Sequence, residues 1–136
     1  MNRPPVLNIQ PVLLRLGDDM ELFAMLLDAF RMDAPKKLHR ISGHMADGNY
    51  TDVRIEAHAL KGAAATVGAE RIVILAGELE DLMQQLAALP SSEMTDAITA
   101  SIATSAMLQQ QLTSELEDLY EAVNKLHLIS SDPKPD

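Results

Sequence analysis

Ile72-Val73-Ile74-Leu75-Ala76-Gly77-Glu78-Leu79-Glu80-Asp81-Leu82-Met83-Gln84-Gln85-Leu86 carries the pattern that decides the fold. Ile72, Leu75, Leu79, Leu82 and Leu86 recur at alternating steps of three and four. That spacing lines one side of an α-helix and reads as the seam of a helix in a bundle. On its N-terminal side, Thr51–Thr66 reads as another helix, closed by Gly68 in the left-handed conformation that glycine adopts freely. Asp47-Gly48-Asn49 is the turn before it. Earlier still, Leu22, Met25, Leu26, Ala29 and Phe30 follow helical spacing behind a cap at Asp18 or Asp19. Leu38, Ile41 and Met45 continue that pattern beyond Pro35, whose missing N–H predicts a kink or a fresh helix start. A short helix is expected over Ile9–Leu16, with Leu13, Leu14 and Leu16 on its apolar side and Gly17 at its end.

On the C-terminal side, Pro90-Ser91-Ser92 separates a last helix marked by Ile98, Ile102, Leu108, Leu112, Leu116, Leu119, Val123 and Leu126. That pattern runs for roughly 30 residues, about 45 Å at 1.5 Å per residue, so the helix is expected to break or to extend beyond the bundle. No segment alternates as a strand would. The fold class is therefore all-α: an antiparallel four-helix bundle with a short extra N-terminal helix. Residues 1–7, with two prolines, are expected to be a flexible tail or linker, residues 8–127 the domain, and residues 128–136 a flexible C-terminal tail.

Composition agrees with one such domain. The 136 residues are 47% hydrophobic and only 3% aromatic, with Leu, Ala and Met favouring helix over strand. The net charge of −9 argues against a broad nucleic-acid footprint and against adsorption to anionic membranes. Absence of cysteine removes disulfides and thiolate metal sites. No apolar run approaches the roughly 20 residues of a membrane span, and no signal-peptide core follows Met1, so the expected location is the cytoplasm.

The helix around residue 58 carries the chemistry. At about 100° per residue, Val53, Ala57, Leu60, Ala64 and Val67 share one face, the expected core side. Arg54, His58, Lys61, Gly62 and Ala65 cluster on another face, roughly 130° away. His58 is thus expected to point out of the core, with Arg54 and Lys61 within reach along the helix. A neutral imidazole has the lone pair that a nucleophile needs, and flanking cations favour that form. The same cations could hold the oxygens of an attached phosphoryl group. Gly62 and Ala65 leave a low surface beside the ring. Gly in mid-helix costs about 1 kcal/mol relative to Ala, which suggests that a partner's backbone approaches there.

Ala57-His58-Ala59-Leu60-Lys61-Gly62-Ala63-Ala64, followed by Gly68-Ala69, resembles the signature of histidine phosphotransfer (HPt) domains, the relay modules of multistep two-component signalling. Leu79-Glu80 looks like the Leu-Glu pair on that family's following helix, and Gly17-Asp18-Asp19 through Phe30 is similar to its lead-in helix. The resemblance covers roughly Asn8 to Leu126. It implies a four-helix bundle with an exposed phosphoacceptor, His58, and no intrinsic kinase activity. By resemblance Lys61 assists the phosphoryl group, Gly62 allows close docking, and Ala65 matches a position kept small; Arg54 comes from the helical wheel alone. The implied partners are response-regulator receiver domains, with a hybrid sensor histidine kinase in cis or in trans, and the chain is expected to be a monomer. No cofactor is implied for the chain itself, since Mg²⁺ should belong to the acidic pocket of the receiver.

Two other readings compete. One is a helical interaction module that binds receivers without accepting phosphate; the joint presence of His58 and Lys61 speaks against it. The other is the dimerisation helices of a sensor kinase, but no nucleotide-binding motif follows and the residues after His58 differ. His39 and His44 are five residues apart, a poor spacing for one metal, and the residue four after His58 is Gly62, so no metal site is expected. His39, His44 and His127 read as surface residues, the eight methionines as core filler, and Glu115, Glu117, Asp118 and Glu121 as a solvated face.

Overall fold

The computed structural model describes residues 3–88 and 94–126, the side chains of Met94, Thr95 and Ala97 excepted. Among them are five helices and no strand: α1 (Ile9–Arg15), α2 (Met20–Ala46), α3 (Tyr50–Val67), α4 (Glu70–Ala87) and α5 (Met94–Leu126). Each long helix packs against the next, and α5 returns to α2, which closes the four-helix bundle. The α1 helix lies against α2 and α3. The expected break at Pro90-Ser91-Ser92, His127 and the tail 128–136 lie outside the described residues.

The tightest pair is α3 with α4. Ala57 and Ala64 on α3 and Ala76 on α4 are fully buried, and such small side chains let two helix backbones approach closely. The turn between the two helices is a Schellman closure. Ala69 N–H donates to Ala64 O at 2.9 Å and Gly68 N–H to Ala65 O at 3.3 Å, with Gly68 at φ +81°. A Cβ at Gly68 would stand 2.5 Å from Asn8 O, so glycine is needed for space as well as for conformation. Asn8 N–H closes the contact by donating to Gly68 O at 2.9 Å, which ties the start of α1 to this turn.

The expected core line of α3 is the observed one: Val53, Ala57, Leu60, Ala64 and Val67 are all buried. Elsewhere the bundle selects different lines. On α4 the buried residues are Ile72, Ala76, Leu79, Met83 and Leu86, with Leu75 and Leu82 half-buried beside them. On α2 they are Phe23, Leu27, Phe30, Ala34 and Ile41, whereas Leu22 and Met25 are 38% and 65% exposed. Apolar residues surround most of the first turns of α2, and contact with α3 and α5 selects the third that turns inward. On α1 Val12 is buried and Leu14 faces solvent. On α5 the unbroken helical spacing Ser101, Ser105, Leu108, Leu112, Leu116, Leu119 and Val123 points inward, leaving Ile102 and Leu126 exposed. Ser105 is tolerated in the core because its hydroxyl donates to Ile102 O at 3.0 Å.

Pro35 neither ends nor restarts α2, which is one helix of 27 residues, entered through the Asp19 carboxylate accepting from Leu22 N–H at 2.9 Å. Proline has no N–H, so Arg31 O, four residues earlier, lacks its helical donor. The Tyr120 hydroxyl of α5 supplies one at 2.9 Å. The α5 helix is continuous over 33 residues.

Residues 3–7, read as a flexible tail, lie against the bundle. Arg71 Nε donates to Pro4 O at 2.8 Å, Arg3 pairs with Glu115, and Val6 and Leu7 pack on the core edge. Glu115 is accordingly buried, and Arg71 Nη1 lies 3.5 Å from it. The methionines are also distributed differently from expectation. Met83 is buried, while Met20, Met25, Met32 and Met107 are exposed. No helix among the described residues is long and apolar enough to cross a membrane.

Candidate functional site

Because Val53, Ala57, Leu60, Ala64 and Val67 turn inward, His58 turns outward, and its side chain is 67% exposed. Lys61 projects from α3 toward α4. On α4 the core line places Glu80, immediately after the fully buried Leu79, on the side that meets α3. The close approach of the two helices then brings three side chains together. His58 Nδ1 is 2.7 Å from Glu80 Oε2, and Lys61 Nζ is 2.7 Å from Glu80 Oε1. The Glu80 side chain is only 12% exposed, so the carboxylate sits at the base of the site and the imidazole at its rim.

The hydrogen bond from Lys61 holds the Glu80 carboxyl below its ordinary 4.5; burial pushes the other way, and the hydrogen bond to His58 adds to the lowering. Glu80 is therefore an ionised carboxylate at neutral pH and can only accept hydrogen bonds. It follows that His58 Nδ1 is the donor. In the neutral ring the proton is then on Nδ1, and the lone pair is on Nε2, directed away from Glu80. The Lys61 charge is balanced by the same carboxylate, so the site is not the purely basic surround read from α3 alone.

The other candidate residues are placed unevenly. Gly62 is exposed, and a Cβ there would meet nothing within 4 Å, which leaves open space beside the ring. Ala65 is exposed two turns above His58, at a hollow of about 320 Å³ between α1, α3 and α4; its carbonyl accepts from Arg15 at 3.2 Å. Arg54 is half-buried one turn before His58, and no hydrogen bond or ion pair to it is seen among the described residues. Ile55, 53% exposed, adds an apolar side chain on the outer face of the helix. Glu80 is the residue that reading along α3 misses. The signal available was the Leu79-Glu80 pair, in which a seam residue is followed by a carboxylate turned toward the neighbouring helix.

This arrangement comprises an outward ring nitrogen that carries the lone pair in the neutral ring, a half-buried carboxylate behind the ring, and a cation one turn away. It suits a nucleophile that accepts an anionic group. A family model described as the Hpt domain matches residues 25–125.

The chain belongs to the Hpt domain family.

Domains of this family act by histidine phosphotransfer in phosphorelays and work with receiver domains. No curated protein and no solved structure matches the chain. The match spans α2 from Met25 through nearly all of α5, so the four long helices make up the Hpt bundle.

Proposed function

We propose that His58 is the phosphoacceptor of this Hpt domain, taking a phosphoryl group from a receiver aspartate and passing it to another receiver. The observation that carries this is the Nδ1 contact with Glu80, which leaves Nε2 exposed with its lone pair outward. Nε2 attacks phosphorus in line, an N–P bond forms, and the P–O bond to the receiver aspartate breaks with its electron pair leaving on that carboxylate. As Nε2 gives up its lone pair the ring becomes cationic. The Glu80 carboxylate, already hydrogen-bonded to Nδ1–H, stabilises that charge as it develops. In this reading Lys61 compensates charge on the phosphoryl oxygens, Gly62 and Ala65 keep the docking surface low, and Arg54 adds positive charge at its edge. Mg²⁺ belongs to the receiver in this scheme. The domain is proposed to span residues 8–127 and to act as a cytoplasmic monomer, free or attached to a hybrid sensor kinase.

Incubation with a phosphorylated receiver domain tests this reading. Acid-labile, alkali-stable label is expected on the chain and should be absent from His58→Gln. Label that persists in that variant would remove His58 from the role, and a receiver that binds without transferring label would favour a pure interaction module. A folded Lys61→Ala variant should transfer more slowly.

A further inference from the structure

Gly77 lies in the middle of α4, one turn before Glu80. Glycine is the poorest helix former short of proline, and Gly77 is not among the glycines with positive φ, so no backbone conformation requires it. Its surroundings supply the reason. A Cβ built at Gly77 would have one neighbour, Lys61 Cδ of α3, at 3.4 Å. The stem of Lys61 therefore lies flat across α4 at the residue that has no side chain, and its Nζ reaches Glu80 Oε1 at 2.7 Å. The half-buried stem, with the charged end at the edge of solvent, is the usual compromise of a lysine crossing an apolar surface. Gly62, by contrast, opens onto empty space. The two mid-helix glycines thus do different work: one clears room outside the site and the other clears a track inside it.

We propose that Gly77 is a positioning residue for phosphotransfer, seating the Lys61 side chain so that its ammonium group is delivered to Glu80 beside His58. The proposal rests on the roles given above to His58 and Lys61. A methyl group at 3.4 Å is ordinary contact, so alanine is compatible with the seat, whereas a longer side chain occupies the track of the stem. Lys61 would then be pushed toward solvent, where its many rotamers place the charge away from the phosphoryl group.

The test is single-turnover transfer from a phosphorylated receiver domain that labels the wild-type chain, measured against receiver concentration. Gly77→Ala should transfer within about twofold of wild type and melt higher, because helix propensity improves without loss of the seat. Gly77→Leu should lower the limiting rate about tenfold or more, to the level of Lys61→Ala, with the half-saturating concentration little changed. The double variant Gly77→Leu/Lys61→Ala should be no slower than Lys61→Ala, since both changes remove one interaction. Gly77→Met, unbranched and helix-favouring, gives the same reading if the leucine variant fails to fold. Wild-type rates in Gly77→Leu or Gly77→Met, or losses that multiply in the double variant, would overturn the proposal while leaving the role of His58 standing. Wild-type transfer by Lys61→Ala would overturn it together with the role of Lys61, and unchanged labelling of His58→Gln would instead remove the reading beneath both.

Discussion

Glu80 connects two functions that are separable by experiment. Its carboxylate sets which ring nitrogen of His58 is free, and it anchors Lys61. Glu80→Gln keeps the shape and removes the charge, so the developing imidazolium loses its counter-charge. Transfer should slow by about 10- to 100-fold, the equivalent of the roughly 1.5–3 kcal/mol of a charge-assisted hydrogen bond; a rate unchanged from wild type would show that Nδ1 needs no carboxylate. The same carboxyl also links stability to pH. Its folded value lies below the ordinary 4.5, so the ionised form favours the fold. Its stabilising contribution is complete above the ordinary value and is lost as pH falls through the folded one. In urea titrations, the stability difference between wild type and Glu80→Gln should therefore grow as pH rises from acid toward the ordinary 4.5 and then level off. A difference independent of pH would contradict the pairing.

Among the elements, α2 shows how one helix compensates for a residue that should interrupt it. Pro35 cannot donate to Arg31 O, and Tyr120 of α5 donates instead at 2.9 Å. Tyr120→Phe should therefore cost about 1–2 kcal/mol, because a carbonyl of an internal helical turn is left without a donor. In a Pro35→Ala background the backbone N–H returns, and the same Tyr120→Phe change should cost measurably less. Equal costs in the two backgrounds would mean that proline and tyrosine are not coupled. The α3–α4 turn makes a second prediction. Gly68→Ala meets both a left-handed conformation, worth about 1–2 kcal/mol against alanine, and a collision with Asn8 O, so thermal unfolding should shift down by several degrees. His58 should remain able to accept label in the fraction that is folded.

At the scale of the whole molecule, the N-terminal segment and His58 occupy opposite sides of α4. Arg71 and Glu80 are nine residues apart, about 180° around the helix at 100° per residue. Arg71 holds Pro4 O and Glu115 on the α5 side, while Glu80 holds His58 and Lys61 on the α3 side. Glu115→Ala removes the acceptor shared by Arg3 and Arg71 from a buried position and should destabilise the fold by about 2 kcal/mol, read as a lower urea midpoint at constant slope. Arg3→Ala, at an exposed partner, should cost far less. Neither change should alter the limiting rate of phosphotransfer by more than about twofold, since neither side chain is on the α3 side of the bundle; a larger effect would mean that the two faces of α4 communicate.

The sequence by itself determined the all-helical class, the turns at Gly48 and Gly68, and the outward position of His58. On α3 that was possible because alanine, valine and leucine occupy one face while charged and small residues occupy the other, so only one orientation buries the apolar side. On α2 and α5 the pattern was ambiguous by about one residue, since apolar side chains such as Leu22, Met25 and Ile102 extend around the circumference, and neighbouring helices chose which ones to cover. Other contacts were not legible from spacing along the chain, although the resemblance had already singled out the Leu79-Glu80 pair. Glu80 is 22 residues from His58, Tyr120 is 89 from Arg31, and Glu115 is 112 from Arg3. Contacts of that kind depend on the relative rotation and height of packed helices, which core packing sets and local sequence does not. Tertiary structure therefore decided that a half-buried carboxylate stands behind the histidine, which ring nitrogen it contacts, and that the glycine of α4 lies opposite the lysine stem.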